Sequence, residues 1–137
     1  MDALYLIGRA ILGLYFLYSG ANHFRMREGM VGYSKSMGVP APELAVPATG
    51  LMLLFGGISL LLGLWTVAGA AVLIIFLIPT AVLMHKFWGV ADAMMAANQK
   101  AHFLKNIALA SALLALLAAH ELLTATTNAK APFSITP

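Results

Sequence analysis

Residues 44–64 and 65–85 form two uncharged runs that follow one another without a break. Each is about as long as the ~20 residues a helix needs to cross the hydrocarbon core of a bilayer. A chain carrying two such runs in succession is built for lipid, and its composition agrees. Of the 137 residues, 61% are apolar and 9% charged, against roughly 45–50% and about 25% in soluble domains. The mean hydropathy is +0.90. The fold class that follows is all-α, an integral membrane four-helix bundle in one domain covering residues 1–137.

The first span is expected over residues 4–24, with Arg9 as its one formal charge. Its start lacks a basic stretch, and the run is too long for the core of a cleaved signal peptide, so it reads as a retained span. In the basic loop that follows, residues 27–37 predict a short interfacial helix, because Gly38 suits a left-handed C-terminal cap and Pro40 prevents continuation. Spans two and three, at 44–64 and 66–86, must form a tight antiparallel hairpin. Pro79 lies inside the third, where it removes the hydrogen bond to the carbonyl of Ile75 and predicts a kink. A polar connection is expected over 86–102, a fourth span over 103–123 and a mobile tail over 124–137. The uncharged part of span four, 106–120, would cover only ~22 Å, so Lys105 and Glu121 must snorkel or be held by neighbouring helices.

Four spans place both termini on one side and both long loops on the other. The loops hold Arg25, Arg27, Lys35, Lys86, Lys100 and Lys105, whereas the terminal side holds Arg9 and Lys130. The positive-inside rule then puts the two loops in the cytoplasm and both termini outside. Small residues recur on single faces, as with Gly13 and Gly20 in span one, Gly56, Ser59 and Gly63 in span two, and Ala108, Ala112, Ala115 and Ala119 in span four. In lipid, such faces let helices approach closely.

Arg9-x-x-x-Gly13-x-x-Phe16-x-x-x-Gly20, Gly38-x-Pro40, Gly56-Gly57 with Leu-rich sequence to Gly63, Phe87-Trp88 and Phe103-x-Lys105-Asn106 appear in that order. Together they resemble the DoxX family of small bacterial membrane proteins, over residues 4–123. The resemblance implies a four-span protein of the bacterial cytoplasmic membrane. It also implies kinship with proteins associated with thiosulfate:quinone oxidoreductase and with membrane complexes that handle oxidative or thiol stress. The chain departs from the family's pattern at 51–55, which is wholly apolar where an acid often precedes the paired glycines, and at His23, where many members carry a more basic residue.

On the loop side, His23 closes span one, His85 closes span three and His102 opens span four, with Trp88 and Asn106 at the same level. Imidazoles there can donate to a quinone carbonyl, move protons near neutral pH, or ligate haem iron, zinc or copper. The same residue types also serve as plain interface anchors. The candidate ligand-binding set is therefore His23, His85, Trp88, His102 and Asn106. Quinone is the cofactor to consider, while haem is disfavoured. Copper is disfavoured too, although Met26, Met30, Met37, Met84, Met94 and Met95 fall on or beside the loops, because methionine is an ordinary filler of adaptable surfaces. On the terminal side Arg9, His120 and Glu121 are expected to meet, with an Arg9–Glu121 ion pair locking spans one and four.

With no cysteine, disulfides, thiolate catalysis and cysteine-held metal clusters are excluded. Phosphate loops, nucleophile elbows and paired catalytic carboxylates are missing as well. The net charge of +3 fits contact with anionic lipid and gives no case for nucleic acid. The expected role is an accessory subunit of a membrane oxidoreductase or of a thiol or oxidative-stress complex, touching quinone, more than a self-sufficient enzyme. The alternative is a non-catalytic scaffold or assembly protein. Partners would be the lipid bilayer and other membrane subunits or a second copy. A transporter is a poorer fit, since four short spans without intramembrane acids offer few coupling sites.

Overall fold

The computed structural model describes residues 3–129, with the backbone alone for 128 and 129. It consists of five helices, α1 (Ala3–Arg25), α2 (Arg27–Ser36), α3 (Pro42–Leu62), α4 (Thr66–Met84) and α5 (Ala93–Ala129), with no strand among the described residues. Helices α1, α3, α4 and α5 are each long and apolar enough to cross a membrane. They correspond to the four expected spans.

The short helix expected after span one is α2, and its end forms as the sequence indicates. Gly38 takes a left-handed φ of 78°, the amide of Val39 donates to the carbonyl of Ser34 at 3.0 Å, and that of Gly38 to Lys35 at 3.1 Å. These two bonds make a Schellman cap. Pro47 lies within α3 and cannot donate to the carbonyl of Glu43 four residues earlier. The guanidinium of Arg27 donates to that carbonyl instead, at 3.3 Å, and so ties the start of α2 to the start of α3. Helix α4 runs through Pro79 without interruption.

The hairpin between α3 and α4 turns on Gly63, with φ 73°, and Trp65, with φ 51°. The hydroxyl of Ser59 donates to the carbonyl of Leu64 and shares its proton with that of Trp65, which also accepts the amide of Gly69.

Helix α5 departs most from expectation. It begins at Ala93 rather than near residue 103, because Asp92 caps it, accepting the amide of Met95 on Oδ1 at 2.7 Å. At ~1.5 Å per residue its 37 residues reach ~55 Å, well beyond a hydrocarbon core of ~30 Å. Its first turns therefore stand beyond the ends of the other spans on the loop side. Helix also continues over 124–129, where a mobile tail was expected, and residues 130–137 lie outside the described residues.

The helices pack as a row. Helix α1 lies on α3, α3 on α4 and α4 on α5, α2 crosses α3, and α1 meets α5 only sparingly. Phe16, Leu53, Leu60, Leu73, Leu77 and Leu113 are fully buried along the row, while Leu14, Ile58, Ile75 and Leu114 point outward. Contact between α1 and α3 is backbone to backbone. A Cβ built on Gly13 would lie 2.9 Å from the carbonyl oxygen of Gly57, and one on Gly57 would lie 2.9 Å from that of Gly13. At the terminal end, the hydroxyl of Tyr5 and Nδ1 of His120 join α1 to α5 at 2.9 Å. At the loop end the two helices leave space between them.

Candidate functional site

That space is a cavity of about 550 Å³, walled by α1, α3, α4 and α5 and covered on the loop side by α2. Its inner part is apolar, made by Phe16, Leu53, Phe76 and Leu77, and its polar groups gather at the loop end. His23 from α1, His85 from the end of α4, and His102 and Asn106 from α5 all line it. Trp88 does not. It is 52% exposed and packs edge to face with Phe87 and Phe103 on the outer surface of the loop, at ring separations of 5.2 and 6.1 Å.

His23 lies one turn beyond Ser19, and its Nδ1 is 2.8 Å from the Ser19 carbonyl oxygen. A carbonyl oxygen only accepts, so Nδ1 carries a proton, and in the neutral tautomer that this bond selects Nε2 is the acceptor. Phe76 meets the ring edge to face at 5.9 Å. His85 follows the last residue of α4 and stacks on His102, with centroids 5.1 Å apart and planes 23° from parallel.

A directed chain of hydrogen bonds leads away from His85. Its Nδ1 lies 3.0 Å from Oε1 of Gln99. Gln99 Nε2 donates to the hydroxyl of Tyr33 at 2.8 Å, and that hydroxyl donates to the carbonyl of Met84 at 3.1 Å. Since the last acceptor is a carbonyl, every proton along the chain is assigned. His85 must donate from Nδ1, and its Nε2 is an acceptor. The chain also fastens α2 to the end of α4 and the start of α5, bringing both long loops together. Burial lowers the pKa of His85 below the ordinary imidazole value, the bond to Gln99 opposes this, and the nearby His102 and Lys105 add to the lowering.

Two further polar side chains are enclosed without a protein partner. Asn106 is 3% exposed and Ser34 6%, both line the cavity, and neither side chain is hydrogen-bonded to the described protein. Polar groups that border an open space in this way can be satisfied there by water or by a ligand. Among the described residues no three His, Asp or Glu side chains gather closely enough to hold a metal ion.

The pair expected at the other end of the bundle is not formed. Glu121 is exposed, and the Arg9 guanidinium lies 5.6 Å over the ring of Tyr5 with its Nε buried and unpartnered. Tyr5 precedes Arg9 by one turn on the same face and takes His120 as its partner, so it fills the position expected of Glu121. The guanidinium also fills the space where a side chain at residue 63 would stand.

Sequence reasoning misses Tyr33, Gln99 and Ser34. Gln99, His102 and Asn106 share one helix face by their spacing, but only if α5 starts before residue 99. The capping Asp92 is the signal for that start.

The DoxX family model matches residues 4–86. Inner membrane protein YphA of Escherichia coli (strain K12) is 32% identical over 113 residues, which cover 82% of this chain and 80% of that protein. No solved structure matches significantly.

Proposed function

The chain belongs to the DoxX family, and on that premise we propose that it is an accessory subunit of a bacterial inner-membrane oxidoreductase or thiol-stress complex, holding a quinone-like molecule at its loop end. The loop-end cavity carries this reading. Its ~550 Å³ falls within the ~300–1,000 Å³ of small-molecule sites, and an apolar chamber with a few convergent polar groups is their usual form. Opening between two helices that hardly meet suits a ligand arriving from lipid. A ring would sit among His85, His102 and Asn106, and the start of its apolar tail among Phe16, Leu53 and Leu77.

An accessory role follows from what the chain lacks. Without cysteine and with five acidic residues, it has few groups of its own for electron or proton transfer, so a partner subunit must supply the redox centre. The bias of basic residues supports a cytoplasmic position for the loop end, and hence for the polar end of the cavity.

Purification from native membranes in mild detergent tests this. The expected result is an oxidoreductase partner together with extractable quinone in stoichiometric amount. Partner subunits without quinone would favour a scaffold, and neither partner nor quinone would refute both roles.

A further inference from the structure

The hydrogen bonds at the loop end decide which form of a ring the cavity suits. Imidazoles facing a quinone would ordinarily be assigned as donors to its carbonyls. Here His23 donates from Nδ1 to the Ser19 carbonyl, and His85 donates from Nδ1 to Gln99. A neutral imidazole carries one N–H, so each ring has only an acceptor left. The carboxamide oxygen of Asn106 is a third acceptor, on a side chain that is 3% exposed and has no protein partner.

From the acceptor that Gln99 fixes on His85 we propose that the cavity selects a hydroxyl-bearing aromatic ring, a quinol or alkylphenol, whose O–H donates to Nε2 of His85 while Asn106 holds the second oxygen. This rests on the reading of the cavity as a site for a quinone-like molecule, and it reverses which partner supplies the proton of the hydrogen bond. A ring bearing only carbonyl oxygens gives Nε2 of His85 nothing to accept and leaves it unpaired beside the ligand. Burial and the neighbouring His102 and Lys105 favour the neutral form of His85, which keeps that lone pair available. Asn106 can serve either form of the ring, since its carboxamide both donates and accepts. The discrimination therefore falls on the histidines.

The test uses the full chain in phosphatidylcholine nanodiscs, without oxygen, and three probes measured by equilibrium dialysis. These are a short-chain alkylhydroquinone, its di-O-methyl ether and the corresponding benzoquinone. The hydroquinone is expected to bind about tenfold more tightly than either of the others, the scale of one unpaired buried acceptor. In Gln99→Leu, His85 is free to carry its proton on Nε2, and the preference should shrink to under about threefold. Equal affinity for the three probes, or tighter binding of the benzoquinone, would overturn the selection of a hydroxyl while leaving the cavity as a ring site. Binding of none of them would overturn the selection and the proposed function together. The wild-type comparison decides the matter even if Gln99→Leu fails to fold.

Discussion

Gln99 takes the Nδ1 proton of His85 at 3.0 Å, and through this one bond a residue on the protruding start of α5 fixes the tautomer of a ring in the cavity wall. Spectra of the protein labelled with ¹⁵N at histidine should show His85 with a protonated Nδ1 and a bare Nε2 at neutral pH, and His23 with a protonated Nδ1. In Gln99→Leu the signals of His85 should move toward a mixture of tautomers, while those of His23, held by Ser19, stay in place. A His85 protonated on Nε2 in the native chain would contradict the assignment.

Acid dependence follows from the same ring. Protonation removes the acceptor on Nε2, so hydroquinone affinity is expected to be level at neutral pH and to fall on acidification. Because the pKa of His85 is lowered, the fall should come below the ordinary imidazole value of 6.5. His102 and Lys105, the charged or titratable neighbours facing it, act in the same direction. A loss of affinity centred at or above that value, measured with the same dialysis, would count against His85 as the accepting group.

Packing of α1 on α3 gives a prediction independent of any ligand. Gly57→Val places a side chain against the backbone of α1, where a Cβ alone would already lie 2.8 Å from the amide nitrogen of Leu17. Overpacking of this kind costs about 1–3 kcal/mol, and backbone cannot move aside as a flexible side chain does. The variant should melt at a clearly lower temperature in detergent. Gly29→Ala, where nothing lies within 4 Å of the added carbon, should change the melting temperature little.

At the terminal end, Arg9 and Glu121 should behave as independent residues. Arg9→Ala is expected to destabilise, since the guanidinium packs on Tyr5 and against the turn at Gly63, and Glu121→Ala to do little. The double variant should equal the sum of the two within ~0.5 kcal/mol. A larger coupling, read from unfolding in detergent, would restore the direct ion pair.

The four spans are legible in the sequence because an uncharged run of span length has few other uses, and the cap of α2 because Gly38 and Pro40 are local signals. That His23, His85 and His102 share one end follows from counting spans. The rest depends on three dimensions. Hydropathy places the start of α5 after the polar residues Asn98, Gln99 and Lys100, whereas Asp92 starts the helix before them, and this hides the face that joins Gln99 to His102 and Asn106. Charge pairing suggests Glu121 for Arg9, but the face of α5 that meets α1 carries His120, and Tyr5 stands between. Which nitrogen of an imidazole bears the proton is set by Ser19 from the same helix and by Gln99 from another, so it cannot be read from the histidines themselves.

Photolabelling tests the ligand cavity most directly. A quinone analogue carrying an azide on its ring, irradiated with the protein in nanodiscs and mapped by mass spectrometry, should mark residues that line the loop end of the cavity, such as Met30, Tyr33 and Met84, with excess unmodified hydroquinone suppressing the label. Label confined to outward faces such as Leu14, Ile58 and Leu114, and indifferent to competitor, would contradict a ring site in this cavity.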